Sequence, residues 1–415
     1  MRKSGLVGVI VVCLLALVVT PAVLAQDEGV TFTSWSLNEE LAGSVLRPII
    51  DTYESANSVT VEEVAYPYNE YLNQVILQAN GGQLSGVVQM DIAWMATLSG
   101  LGVLADLGPY VEEGVYTDAG LGACQVDGVQ VGLPWATASI GMVANQELLA
   151  AAGVTELPAT IAEFEAALEA LKAYNPDVIP YAGMTDVAQL KDIIPWIWTF
   201  GGDVFDADGN VALTSDETVA ALEWYASLLE RGLIAPDVDR FDARQLFAQG
   251  LVGFYDDAIL ARSLAAANAV EGTEITVVPA PRPVLAEGDA PQALRWGHCV
   301  VVINDDNTEA AAGLAVYLTS DAEANTAFFT ELSLPPAANA VVSSDVFQSD
   351  VYTATWTDQI TATARINPFA VYAEGAQMET TLNDASQAIL IGDQAAADAL
   401  AEAAEDIGEM VADAR

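Results

Sequence analysis

Between residues 30 and 92 the chain alternates short apolar runs with segments of helical period, an order that neither an all-helical nor an all-β fold accommodates. Val30 to Trp35 reads as a strand. From Glu39 to Ala56, the residues Leu41, Val45, Leu46, Ile49, Ile50 and Tyr53 fall near helical spacing. Pro48 lies inside that run and predicts a kink or a split. Val59 to Val64 is a second strand, Asn69 to Ala79 a second helix closed by Gly81-Gly82, and Val87 to Ile92 a third strand. A β-α-β-α-β order predicts an α/β fold with a mainly parallel sheet and helices on its faces.

The rest of the chain continues in the same style. Leu104 to Gly114 is a short helical piece containing Pro109, and Cys124 to Leu133 reads as a hairpin around Asp127-Gly128. Thr160 to Ala173 is an amphipathic helix, with Thr160 as N-cap, Glu163 three residues on, and Phe164, Ala167, Leu168 and Leu171 on one face. Further helices fall at Ser215 to Arg231, Ala310 to Thr319, Ala322 to Phe329, Ala376 to Ile391 and Ala395 to Met410; further strands fall at Gly272 to Pro281 and Leu294 to Ile303. At 415 residues the chain is long enough for two domains. The stretch from Leu133 to Val154 breaks the pattern. It opens on Pro134 and Trp135, carries Thr137 and Ser139 in an apolar run, and changes to helical period after Asn145. Such a stretch suits a crossing between two lobes beside a ligand cleft.

Charge narrows the possible partners. The chain has 58 acids against 13 lysines and arginines, a formal net charge of −45, and its lysines are Lys3, Lys172 and Lys191. A surface this acidic repels nucleic acid and anionic lipid. Arg2 and Lys3 precede an apolar run from Gly5 to Val19, then Pro21 and a small-residue ending at Ala25. That order predicts a secretory signal peptide over residues 1–25 and a periplasmic or extracellular protein, with an uncleaved anchor as the alternative. A lipid anchor at Cys13 is rejected, because Val12 before it is not small and the apolar run continues past it. Removing residues 1–25 leaves Cys124 and Cys299, which suit either a disulfide or two buried thiols.

Enzyme chemistry has little support. There is no H-E-x-x-H, no cysteine pair at zinc spacing, no G-x-x-x-x-G-K loop and no G-x-S-x-G elbow, so neither a cofactor nor a metal is expected. Asp206 to Asn210 resembles part of a calcium loop, but Val204 and Ser215 stand where ligands should be, which favours a plain turn. The single histidine, His298, reads as a satisfied strand residue. A secreted glycoside hydrolase stays open, since 58 acids supply many possible carboxylate pairs. Aromatics say more. Trp35, Trp94, Trp135 and Trp296 each sit at a strand end or loop start, where α/β sheets bind ligands. Asn38 and Glu39 follow the first, and Asp91 precedes the second. An indole covers the C–H face of a sugar while carboxylates and amides take its hydroxyls. The competing reading for each tryptophan is core packing.

The order of several stretches resembles the family 1 extracellular solute-binding proteins of ABC importers, the group that includes maltose- and trehalose-binding proteins. They are TFTSWSLNEE, VTVEEVAYPYNEYLNQVILQANGG, VVQMDIAWMATLSGLGVLADL, GLPWATASIGMVANQELLAAAGV, FGGDVFDADGNVALTSDETVAALEWYASLLERGL, RQLFAQGLVGFYDD and WGHCVVVIND. The resemblance implies a two-lobe periplasmic-binding-protein fold with a hinge and an interlobe cleft. It puts residues 26–136 and 299–331 in the N-terminal lobe and residues 139–296 and 333–415 in the C-terminal lobe. It implies a monomeric, non-enzymatic receptor for a di- or oligosaccharide, serving permease subunits, with a polyamine or another small polar solute as the alternative cargo. By position it implies ligand contacts from Trp35, Asn38, Glu39, Asp91, Trp94, Trp135, Thr137, Trp196, Tyr255, Asp256, Asp257, Trp296, Gly297, Arg365 and Phe369. The maltose type carries an acid near Ala138 and a tryptophan after Gly253-Phe254-Tyr255. This chain has neither, which argues against maltose itself.

Overall fold

A computed structural model describes residues 29–414, apart from residue 393 and the side chain of residue 189. The signal peptide read over residues 1–25 lies outside the described residues. The strands are β1 Val30–Ser34, β2 Val61–Ala65, β3 Val87–Asp91, β4 Gln125–Val126, β5 Val129–Gln130, β6 Gly132–Asn145, β7 Ile179–Ala182, β8 Val252–Ala258, β9 Val277–Ala280, β10 Ala293–Val302 and β11 Ala364–Arg365. Nine of them make one mixed sheet in the order β2-β1-β3-β10-β6-β8-β7, with β11 beside β10 and β9 beside β6.

The expected parallel β-α-β-α-β start is present. β1 pairs parallel with both β2 and β3 through the helices Glu40–Asn57 and Tyr68–Asn80. Pro48 does not split the first helix, which runs through it unbroken. The sheet as a whole is mixed rather than mainly parallel, for a directional reason. β6 carries the chain out of the first half and β10 brings it back, so the two run antiparallel to each other, and β10 also runs antiparallel to β3. The β7–β8 pair is parallel again.

The stretch at Leu133 to Val154 is thus one 14-residue strand followed by the helix Gln146–Ala151. The change of period falls at Asn145, whose Oδ1 accepts the Leu148 N–H at 3.0 Å. Within the crossing, Trp296 faces Ala138, Gly297 faces Thr137 and His298 faces Ala136, and the register shifts between His298 and Cys299. A third passage runs alongside: the Thr137 N–H donates to Pro335 O at 2.9 Å and the Ala337 N–H to Trp135 O at 3.1 Å. A Cβ on Gly297 would lie 2.5 Å from the Ala136 carbonyl oxygen, so only glycine fits where these strands approach.

Other local readings also match their elements. Thr160 and Glu163 form a reciprocal capping box on the helix Ile161–Tyr174. Asp127 (φ 50°) and Gly128 (φ 78°) make the left-handed turn of the β4–β5 hairpin. Asp206 to Asn210 is a turn in which the Asp206 carboxylate accepts the Asp208 and Asn210 N–H groups. Among the described residues no cluster of histidine, cysteine, aspartate or glutamate is grouped to hold a metal, and no helix is long and apolar enough to cross a membrane. Cys124 and Cys299 form a disulfide with their Cα atoms 5.8 Å apart. It joins the segment before the β4–β5 hairpin to β10, one residue beyond His298.

Candidate functional site between the two halves

A gap opens between the β1–β3 half and the β8 half, and the crossing strands floor it. Five elements furnish its polar and aromatic lining. The loop after β1 supplies Trp35, Ser36 and Glu39; the start of the second helix supplies Tyr68; the helix Arg240–Ala248 supplies Arg240, Phe241 and Arg244; the end of β8 supplies Asp257; β10 supplies Trp296 and His298. Trp296 and His298 are two residues apart and so share one face of their strand. The cavity measures about 40 Å³ at this centre and about 610 Å³ in its outward part. The gap extends outward past Asn38, Asn69, Gln245 and Asn268, and a further hollow is bounded by Tyr68, Trp94, Lys191 and Glu379.

The charges in the gap are organised in pairs. Asp257, fully buried, accepts two hydrogen bonds from Arg244, each 2.8 Å. Burial works against the Arg244 charge, but Asp257 and Glu39 more than offset it and hold its pKa above the usual value. Burial raises the Glu39 carboxyl, while Arg244 pulls it part of the way back and Asp257 adds to the rise. Arg240 pairs with Asp192 behind this group. From the first half the Tyr68 hydroxyl donates to Asp91 Oδ2 at 2.9 Å, and Lys191 Nζ reaches from the second half to donate to Tyr68 Oη at 3.2 Å. Burial would discharge Lys191, but Tyr68, Glu379 and Asp91 overcome that and raise its pKa. Asn69 Nδ2 donates to Asp239 Oδ2 at 3.2 Å, a direct bond from one side to the other.

Of the residues expected at the ligand, Trp35, Glu39, Asp257 and Trp296 stand together at the centre of the gap. Asn38 lies at its exposed outer part and Trp94 beside the Lys191 hollow. Asp91 caps the turn Ile92–Trp94 and reaches the gap through Tyr68. Thr137 and Gly297 border an adjoining hollow with Pro335 and Trp356. The others lie in packed surroundings. Trp135 stacks on Phe328 at 4.7 Å, Trp196 is buried against Phe164 and Trp224, Tyr255 packs on Phe247, and Phe369 meets Phe205 edge-on. Asp256 is fully buried and pairs with Arg282 at 2.5 Å and with the Tyr181 hydroxyl. Arg365 pairs with Asp203 and lies over the Trp198 ring at 4.1 Å.

Sequence reasoning passed over Tyr68, Lys191, Arg240, Phe241 and Arg244. A signal existed for the last three: Arg240, Asp242 and Arg244 follow Asp239, which caps their helix by accepting the Asp242 N–H at 2.8 Å. The helix is short, and its buried face begins with Arg240 ahead of Ala243 and Phe247, which hid it.

Architecture and gap together define a two-lobe binding-protein fold, and the chain belongs to the bacterial extracellular solute-binding proteins, whose family profile matches residues 48–355. Solved structures with the same fold include the GacH receptor of Streptomyces glaucescens, determined unliganded and in complex with acarbose. That structure has a TM-score of 0.82 and 20% identity, and the match covers 93% of this chain and 99% of that one. Maltose-bound MalE3 of T. maritima matches with a TM-score of 0.81 and 21% identity, over 92% of this chain and 99% of that one. A binding protein of Brucella abortus is 23% identical over 220 residues, 51% of this chain and 53% of the relative. The chain thus spans about half the length of the curated relatives it matches.

Proposed function

We propose that this protein is the secreted, monomeric receptor of an ABC importer, that it catalyses no reaction, and that it closes on a di- or oligosaccharide and hands it to permease subunits. The observation that carries this reading is the central gap, where Trp35 and Trp296 stand beside Glu39 and the Arg244–Asp257 pair. Indole faces take the C–H surface of a sugar ring, and the carboxylates and guanidinium take its hydroxyls. The family membership and the sugar complexes of the neighbouring structures support the same reading. The lobes would be residues 26–136 with 299–331, and residues 139–296 with 333–415, meeting at the paired Thr137 and Gly297. Ligand contacts would come from Trp35, Asn38, Glu39, Trp94, Asp257 and Trp296. Closure follows if the sugar touches both lobes, because it then favours the shut state by its differential affinity.

A polyamine fits the gap less well. Arg240 and Arg244 line it, Lys191 bounds the hollow beside it, and its Asp257 is already paired with arginine. The test is a thermal-shift panel of maltose, trehalose, maltotriose and spermidine, followed by calorimetry on whatever binds. A sugar binding at one site per chain with no product formed supports the proposal. A panel in which spermidine alone raises the unfolding midpoint rejects it.

A further inference from the structure

His298 is the one histidine of the chain, and the structure gives its ring a specific chemical state. The Gln89 side chain sets it. Gln89 Oε1 faces the Ser36 backbone N–H at 3.3 Å and the Ser34 hydroxyl at 2.5 Å. A backbone N–H can only donate, so that end of the amide is the carbonyl oxygen. The NH2 end then donates to Ser36 Oγ at 2.9 Å and faces His298 Nδ1 at 3.1 Å. Nδ1 is therefore an acceptor. Burial pushes the imidazole pKa down to about 3, so the ring is neutral at physiological pH. Its single proton resides on Nε2.

That Nε2–H has no hydrogen-bond partner among the described residues. His298 is 2% exposed, and Nε2 is shut off from water and bonded to nothing among the described residues. An unmet buried donor is costly, so its place in the structure needs a reason. The ring lies between two indoles, edge-to-face with Trp35 at 4.8 Å and with Trp296 at 4.4 Å between centroids. All three rings border the interlobe gap beside Glu39, Arg244 and Asp257. Nδ1 is tied to Gln89 in the first half, and Nε2 is the ring nitrogen farther from the backbone.

We propose that the His298 Nε2–H is a specificity-determining donor, held ready to bond a hydroxyl or ring oxygen of the solute seated in the interlobe gap against Trp35 and Trp296. The proposal rests on the sugar reading and sharpens it. A neutral donor pinned in one tautomer rewards an oxygen acceptor and offers nothing to an ammonium group. A sugar lacking the matched oxygen leaves the donor unmet and binds more weakly.

The protein holds one histidine, so 15N-histidine labelling of the full chain reports this ring alone. In the free protein Nε2 carries the proton and Nδ1 does not. On saturation with the panel sugar that most raises the unfolding midpoint, the Nε2–H signal moves and exchanges more slowly with water. Calorimetry of His298→Phe, which keeps a ring between the indoles and removes the donor, shows a loss of about tenfold or more in sugar affinity. His298→Gln, which restores an N–H, loses less. A free protein protonated at Nδ1 overturns the proposal. So does a sugar that binds without moving the Nε2–H signal, an outcome that leaves the receptor reading intact. Binding of spermidine alone, or of no panel member, overturns both.

Discussion

Replacing Asp256 by asparagine should unfold the protein more easily without weakening its hold on solute. The carboxylate is fully buried, as is the guanidinium of Arg282 that meets it at 2.5 Å. Tyr181 donates to the same carboxylate, and Arg282 lies over the Trp196 ring at 4.3 Å. Asparagine keeps the size and a neutral acceptor but removes the charge, leaving a cation enclosed by apolar rings. One nitrogen of that cation, Nη1, already lacks a partner among the described residues. Breaking a buried pair from one side costs about 3–5 kcal/mol, because the survivor keeps its desolvation penalty without its counter-charge. With a urea slope of about 3 kcal/mol/M, the midpoint falls by roughly 1 M or somewhat more. Replacing both partners, Asp256→Leu with Arg282→Met, should recover most of the loss, since no charge is then stranded. Urea unfolding followed by tryptophan fluorescence measures all three proteins, and calorimetry measures solute binding by the folded Asp256→Asn protein. An unchanged midpoint with a tenfold weaker affinity would refute the reasoning and return Asp256 to the ligand.

Three other outcomes are expected. Replacing Cys124 and Cys299 by serine removes a link across 175 residues of sequence and should lower stability by about 2–5 kcal/mol, seen as a difference in urea midpoint between the two proteins without reductant. His298 binds its proton more weakly folded than unfolded, so its contribution to stability is intact above about pH 6.5 and is lost as pH falls toward 3. That contribution is at most about 5 kcal/mol, and His298→Phe should lose less stability between pH 7 and pH 4 than the parent. Gly297→Ala drives a methyl against the Ala136 carbonyl at the crossing, and its effect should appear as a lowered unfolding midpoint and a smaller solute-induced change in radius of gyration by small-angle scattering.

The framework was legible where apolar residues fall at helical spacing or in short runs bounded by turns. The first three strands and two helices follow from apolar spacing, and Thr160 with Glu163 marks a helix start in four letters. The site was legible only in part. Trp35 and Trp135 each end a short apolar run, and nothing local tells an indole that borders a gap from one stacked on Phe328. Which way each points depends on residues far along the chain. Asp256 and Asp257 are adjacent letters with opposite faces, so one is tied to Arg282 and the other to Arg244 at the gap. The Nε2 of His298 was invisible for the same reason, since its state is set by Gln89, 209 positions away.

The pairing of β3 with β10 has a consequence for biogenesis. A nascent chain exposes the outer amides of β3 from the moment residues 87–91 emerge, and their permanent neighbour is made only after the whole β6-to-β9 segment. Until then the first sheet has an open edge of the kind that recruits strands from other molecules. A chain that halts before residue 293 would therefore be a sticky fragment rather than half a receptor.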